Sequence, residues 1–176
     1  MKKHIILFFI VFFVWGCSKE NFNPEHPDVE TFVQQIKNGT YDIHEKSENG
    51  EKLWLVMPDL NVDDIPQLLS LSMDTTRIKN FPSNPASSHA LYPEERDYLI
   101  LGECLLWVVE AIRKDLKFAS LHPYLINADL NNPESHAGLS GAEVQLVSSL
   151  YRDWWDEYKN QNWQEMNPLE NSNYAW

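Results

Sequence analysis

Apolar residues appear along this chain first as a solid block and then at helical spacing. From Ile5 to Trp15, eleven apolar residues follow one another without a charge. After a polar stretch, Val29, Phe32, Val33 and Ile36 fall at i, i+3, i+4 and i+7, the stripe of one helix face. Gly39 stands where such a helix closes. Then the pattern changes. Asn49-Gly50 sits between Tyr41/Ile43 and Leu53-Trp54-Leu55-Val56, which predicts one β-hairpin within residues 41–57. Asn61, with Asp64 at its third position, opens another helix whose buried face is Ile65, Leu68, Leu69 and Met73. Carboxylates in a first turn favour the positive end of the helix dipole. Two prolines within Phe81-Pro82-Ser83-Asn84-Pro85 stop everything.

Pro93 begins what reads as the longest element, running to about Phe118. Twelve of the fifteen residues from Tyr98 to Ile112 are apolar, and a helix apolar nearly all round is one buried at the centre of a bundle. Ser120 to Gly138 is a polar connection containing Pro123 and Pro133. Ser140 and Glu143 form a capping box, and Val144, Val147, Leu150, Tyr151, Trp154 and Tyr158 line one face of the helix that follows. The tail from Gln161 to Trp176 is Asn-rich yet carries Trp163, Tyr174 and Trp176. The expected fold is mainly α: a small bundle of antiparallel helix pairs, with HEAT-like layering as one form, plus one hairpin.

The first apolar block has a different meaning. A permanent membrane span needs about 20 such residues, so this run has the length and cationic flank (Lys2, Lys3) of a signal-peptide core. It ends in Val14-Trp15-Gly16-Cys17, which resembles the lipobox of bacterial lipoproteins, with Trp15 departing from the usual small residue. The resemblance implies cleavage before Cys17 and its acylation. The expected organisation is a signal peptide over 1–16, a lipidated tether over 17–27 and a single helical domain over 28–176. Ser18 stands where Asp would resemble an inner-membrane retention signal, so the expected location is the cell envelope, at the outer membrane.

The strings Asp28-Val29-Glu30-x-Phe32-Val33, Asp64-Ile65-Pro66-x-Leu68-Leu69, Asp74-Thr75-Thr76, Phe81-Pro82-x-Asn84-Pro85-x-Ser87-Ser88 and Leu106-Trp107-x-x-Glu110-x-Ile112-Arg113 resemble an uncharacterised family of Bacteroidetes lipoproteins. The resemblance covers about residues 24–118 well and the last third loosely. It implies a lipoprotein with a small helical domain, and it transfers no catalytic residue.

Charge and candidate chemistry narrow the function. With 14 basic and 26 acidic residues the formal charge is −12, the wrong sign for a nucleic-acid partner. Cys104 lies in an apolar run, where a free thiol is commonly a small buried hydrophobe. Gly138-Leu139-Ser140-Gly141-Ala142 is close to a nucleophile elbow, but Ala142 replaces the last glycine and no strand precedes it, so Ser140 reads as a helix cap. His122, Asp129, Glu134 and His136 share one loop without metal-site spacing; solvated loop residues are the plainer account, and a small hydrolase the weakest functional one. Glu103 and Glu110 share a stripe with Arg96 and Lys114, read as a partly solvated polar seam. Ser83, Asn84, Ser87, Ser88 and His89 belong to the proline corner.

No cofactor and no metal is expected. The C-terminal aromatics are less readily explained. Helical phase accounts for Tyr151, Trp154 and Tyr158 as core, reaches Trp155 only at its margin, and says nothing of Trp163, Tyr174 and Trp176. Rings with polar neighbours stack on sugars and also form protein interfaces. The leading expectation is a non-enzymatic interaction or structural module, attached to the membrane through its lipid and meeting an envelope protein. The alternative is a glycan-binding surface lipoprotein using Trp155, Trp163, Tyr174 and Trp176.

Overall fold

The first helical stripe forms α1, Val29–Asn38, capped by the Asp28 carboxylate on the Thr31 amide at 2.8 Å and closed by Gly39 at φ 65°. The hairpin forms as β1, His44–Lys46, against β2, Lys52–Leu55, with Gly50 at φ 81° in its turn. Asn61 and Asp64 make a reciprocal capping box on a 3₁₀ turn, Val62–Asp64, which runs into α2, Ile65–Leu71. Ile65, Leu68 and Leu69 are buried, while Met73 lies beyond the helix and is half-buried. The computed structural model describes residues 22–88, 91–93, 95–128 and 138–176. The apolar block, Cys17, His89, Asp129, Glu134 and His136 lie outside the described residues.

The chain is mixed α/β, not a helical bundle with one hairpin. Among the described residues, four helices and the 3₁₀ turn hold 36% and three small antiparallel sheets another 11%. Two sheets escape the sequence reading. Strand β3, Arg77–Ile78, pairs with β4, Leu99–Ile100, and β5, Ile126–Asn127, pairs with β6, Tyr174–Ala175. Strand β4 shortens the element expected from Pro93. Helix α3 starts only at Leu101 and ends at Arg113, where Asp115 at φ 54° turns the chain away. The longest helix among the described residues is instead α4, Gly141–Tyr158, begun by the expected Ser140–Glu143 capping box.

Helix α3 is central, with twelve of its thirteen residues buried and α2 and α4 packed against it. It has no side-chain cap. The amides of Leu101 and Gly102 donate instead to the carbonyls of Thr76 (3.0 Å) and Asp74 (2.8 Å). This approach requires glycine: a Cβ on Gly102 would lie 2.0 Å from the Ser72 carbonyl oxygen. Just below, the Ser72 and Ser148 hydroxyls join α2's end to α4 in a buried hydrogen bond.

An aromatic chain extends from this core toward the N-terminus. Trp107 packs on Phe118 (5.7 Å) and Phe81 (6.4 Å), Phe81 on Phe32 (6.0 Å), and Phe32 on Phe22 (5.9 Å). Phe22 also meets Tyr41 edge-on at 5.6 Å, and the Pro24 carbonyl accepts from the Asp59 amide at 2.8 Å. Residues 22–27, the latter part of the expected tether, therefore lie against the domain.

Candidate functional site

Helix α4 and the tail carry the four aromatics singled out as ligand-binding candidates, and all four are half-buried. They fall into separate settings. Trp155 and Trp163 are 5.7 Å apart and both pack on Trp154, whose indole donates to the Trp163 carbonyl at 3.2 Å. Tyr174 sits in β6 opposite Asn127. Trp176 donates its indole N–H to the Tyr151 hydroxyl at 2.8 Å. Among the described ring contacts, none joins Tyr174 or Trp176 to the Trp154–Trp155–Trp163 group.

The bond from Trp176 enters a buried polar network that sequence reasoning missed. The Tyr151 hydroxyl donates to Glu110 Oε2 at 3.0 Å. Arg113 grips the same carboxylate with two bonds, Nε to Oε2 at 2.9 Å and Nη2 to Oε1 at 2.8 Å. Its Nη1 reaches the tail carbonyl of Gln164 at 2.7 Å. Burial pushes the Glu110 carboxyl up, but the bonds and charge of Arg113, with Lys114 behind, outweigh it and hold the group below the ordinary carboxylate value. Burial, and then the Glu110 charge, push the Tyr151 phenol well above its usual range. The expected Glu110–Lys114 pair is present at 3.1 Å. The i, i+3 spacing of Glu110 and Arg113 was readable; the tail carbonyl was not.

Glu103 has its own partners. Arg96 Nη2 lies 2.6 Å from Oε2 and 2.9 Å from Oε1, and the Leu125 amide donates to Oε1 at 2.6 Å. The two glutamates thus sit in separate buried ion pairs, not in a partly solvated seam. Burial pushes the Glu103 carboxyl up to about 7, with Arg96 and the amides of Leu125 and Ile100 pulling the other way. The folded chain then keeps a proton that the unfolded chain loses near 4.5, so this group's stabilisation is complete below pH 4.5 and disappears as pH rises through about 7. Denaturant melts at pH 5 and pH 8 are expected to show wild type losing up to about 3 kcal/mol relative to Glu103→Gln over that interval. Parallel profiles would contradict the shift.

The other candidates are structural. Cys104 is fully buried with its thiol toward the Pro123 carbonyl at 3.5 Å, and burial pushes its ionisation well above the usual value. Ser140 caps α4. His122 stacks on Tyr124 at 5.2 Å, and the other members of its loop cluster lie outside the described residues.

One opening beside these aromatics, of about 330 Å³, is lined by Tyr174 with Asn127 and Leu146; a separate, larger one is a groove of about 760 Å³ between α2 and α4. Val62, Pro66, Leu69 and Trp155 supply its apolar lining, and Arg152 and Lys159 stand among its polar groups. Of the four aromatics, Trp155 alone lines this groove; Trp163, Tyr174 and Trp176 hold the tail down. A family model described as a domain of unknown function (DUF4943) matches residues 23–176. The chain belongs to this family. The match begins one residue after Phe22, so it takes in residues 23–27 of the docked segment together with the tail. No curated protein and no solved structure matches the chain.

Proposed function

We propose that this member of the family is a lipoprotein of the Bacteroidetes cell envelope, anchored in the outer membrane through acylated Cys17, and that its domain is a non-enzymatic contact module. The observation that carries the contact reading is the groove beside Trp155, where apolar side chains are flanked by both signs of charge. That lining suits a protein segment with an apolar anchor and a polar rim. The two carboxylates nearest to an acid–base arrangement, Glu103 and Glu110, are buried, each held by its own arginine, and neither lines the groove, which supports a role in contact over chemistry. No helix among the described residues is long and apolar enough to cross a membrane, and the anchor reading rests on the sequence at Cys17.

Glycan binding remains the second reading because an indole wall beside Arg152, Asp156 and Asn160 is also suited to a sugar face. In this groove it would rest on Trp155 alone. Cys17→Ser is expected to leave the membrane fraction or to accumulate as unprocessed precursor; full retention of a processed variant would overturn the anchor. A photo-crosslinker at the exposed Val62 should join the anchored protein to an envelope protein. An oligosaccharide that shifts Trp155 emission and blocks that adduct would favour the glycan instead.

A further inference from the structure

The hairpin stands apart from the rest of the fold in having little to cover it. Among the described residues no other strand pairs with β1 or β2, and a lone two-stranded hairpin is marginal in water. Its register shifts between His44 and Lys46, setting Leu53 and Trp54 opposite the single residue Glu45. Both apolar side chains are left open, Leu53 at 42% and Trp54 at 44% exposure.

The place of the hairpin relative to the N-terminus indicates what covers it. Tyr41 bridges the two: its ring meets Phe22 at 5.6 Å and its hydroxyl donates to the Val56 carbonyl at 2.7 Å. Trp54 lies two residues back along β2 from Val56, roughly 7 Å. Five peptide steps separate Phe22 from Cys17, a reach of at most about 18 Å. A lipid on Cys17 therefore holds the bilayer surface within that distance of Phe22, and Tyr41 sets the base of the hairpin beside Phe22.

We propose that Leu53 and Trp54 enter the headgroup–hydrocarbon boundary of the membrane that carries the anchor, so that the domain meets its bilayer at two points. Indole rings favour that boundary because they present an apolar body with one polar N–H. The hairpin's charge defines the lipid. Asp42, Glu45, Glu48 and Glu51 outnumber Lys46 and Lys52, and Lys52 is already held by Asp42 at 2.5 Å. The contact is thus apolar in origin and suits a zwitterionic surface better than an anionic one.

This inference rests on the anchor reading, and the experiment separates the two. The full acylated chain is reconstituted into phosphatidylcholine vesicles containing acyl-brominated lipid, after its intact mass has established acylation at Cys17. Tryptophan quenching is expected in wild type and lost in Trp54→Phe, with unchanged melting and weaker quenching when phosphatidylglycerol is added. Leu53→Gln is expected to reduce the same signal by moving Trp54 outward. Acylated protein whose quenching is absent, or equal in wild type and Trp54→Phe, overturns the contact and leaves the anchor. An unacylated Cys17 overturns both. Dimers of acylated chain in which Trp54 resists both iodide and brominated lipid would assign the patch to a second copy and overturn the membrane contact.

Discussion

Trp107→Ala is expected to lower the stability of the domain by about 3–5 kcal/mol, which for a typical total of 5–15 kcal/mol leaves the fold marginal or lost. The indole is fully buried at the middle of α3, and its N–H donates to the Ser120 hydroxyl at 2.8 Å. Removing it empties the space between Phe81 and Phe118 and breaks the link that carries the aromatic chain from Phe32 through Phe81 into the helix. Trp107→Phe keeps much of the volume and loses only the hydrogen bond and part of the packing, so its cost should be smaller. Urea unfolding of both variants makes the comparison; a Trp107→Ala chain within about 1 kcal/mol of wild type would show that α3 is not the centre of the core.

The second large effect belongs to Arg113→Ala. The guanidinium neutralises a carboxylate that is only 2% exposed and also holds the tail through Gln164. Removing one member of a buried pair leaves the other charge uncompensated, at a cost of about 3–5 kcal/mol. Lys114 remains at 3.1 Å from Glu110 and moderates the loss. Because Trp176 reaches the same carboxylate through Tyr151, the variant should also loosen residues 161–176, seen as a red shift of tail tryptophan emission and early proteolysis there. Destabilisation with a native tail spectrum would mean that the tail is held by packing alone.

The contrast between these two sites explains what could be read from the chain. Trp107 was legible because the run around it is apolar at every phase, and that property is local. The α1 stripe, the Asn49-Gly50 turn and the Ser140–Glu143 box are local too, and each forms where expected. The two-residue strands are not. A pair such as Ile78 and Leu99 has no period to detect, and its pairing depends on a partner far along the chain. Tyr98, Leu99 and Ile100 satisfy a helical or an extended pattern equally well. The outcome was decided by the carbonyls of Asp74 and Thr76, which take the first amides of α3 and fix its start at Leu101. Trp176 was a legible anomaly, an aromatic in a polar tail, but its partner Tyr151 had already been assigned to a core face. Only the fold reveals that one hydroxyl can serve both.

The docked N-terminal segment has a mechanical consequence. Tension arriving through the N-terminus meets Phe22 first, then the bond between Pro24 and Asp59, and only afterwards the capped start of α1 at Asp28. These contacts are loaded one after another, as tape is peeled, so each yields at low force while the core stays unloaded. Peeling residues 22–27 pays out about 20 Å of chain. The leash thus has a short setting and a long one, and a pull that would otherwise reach Trp107 is absorbed by extension.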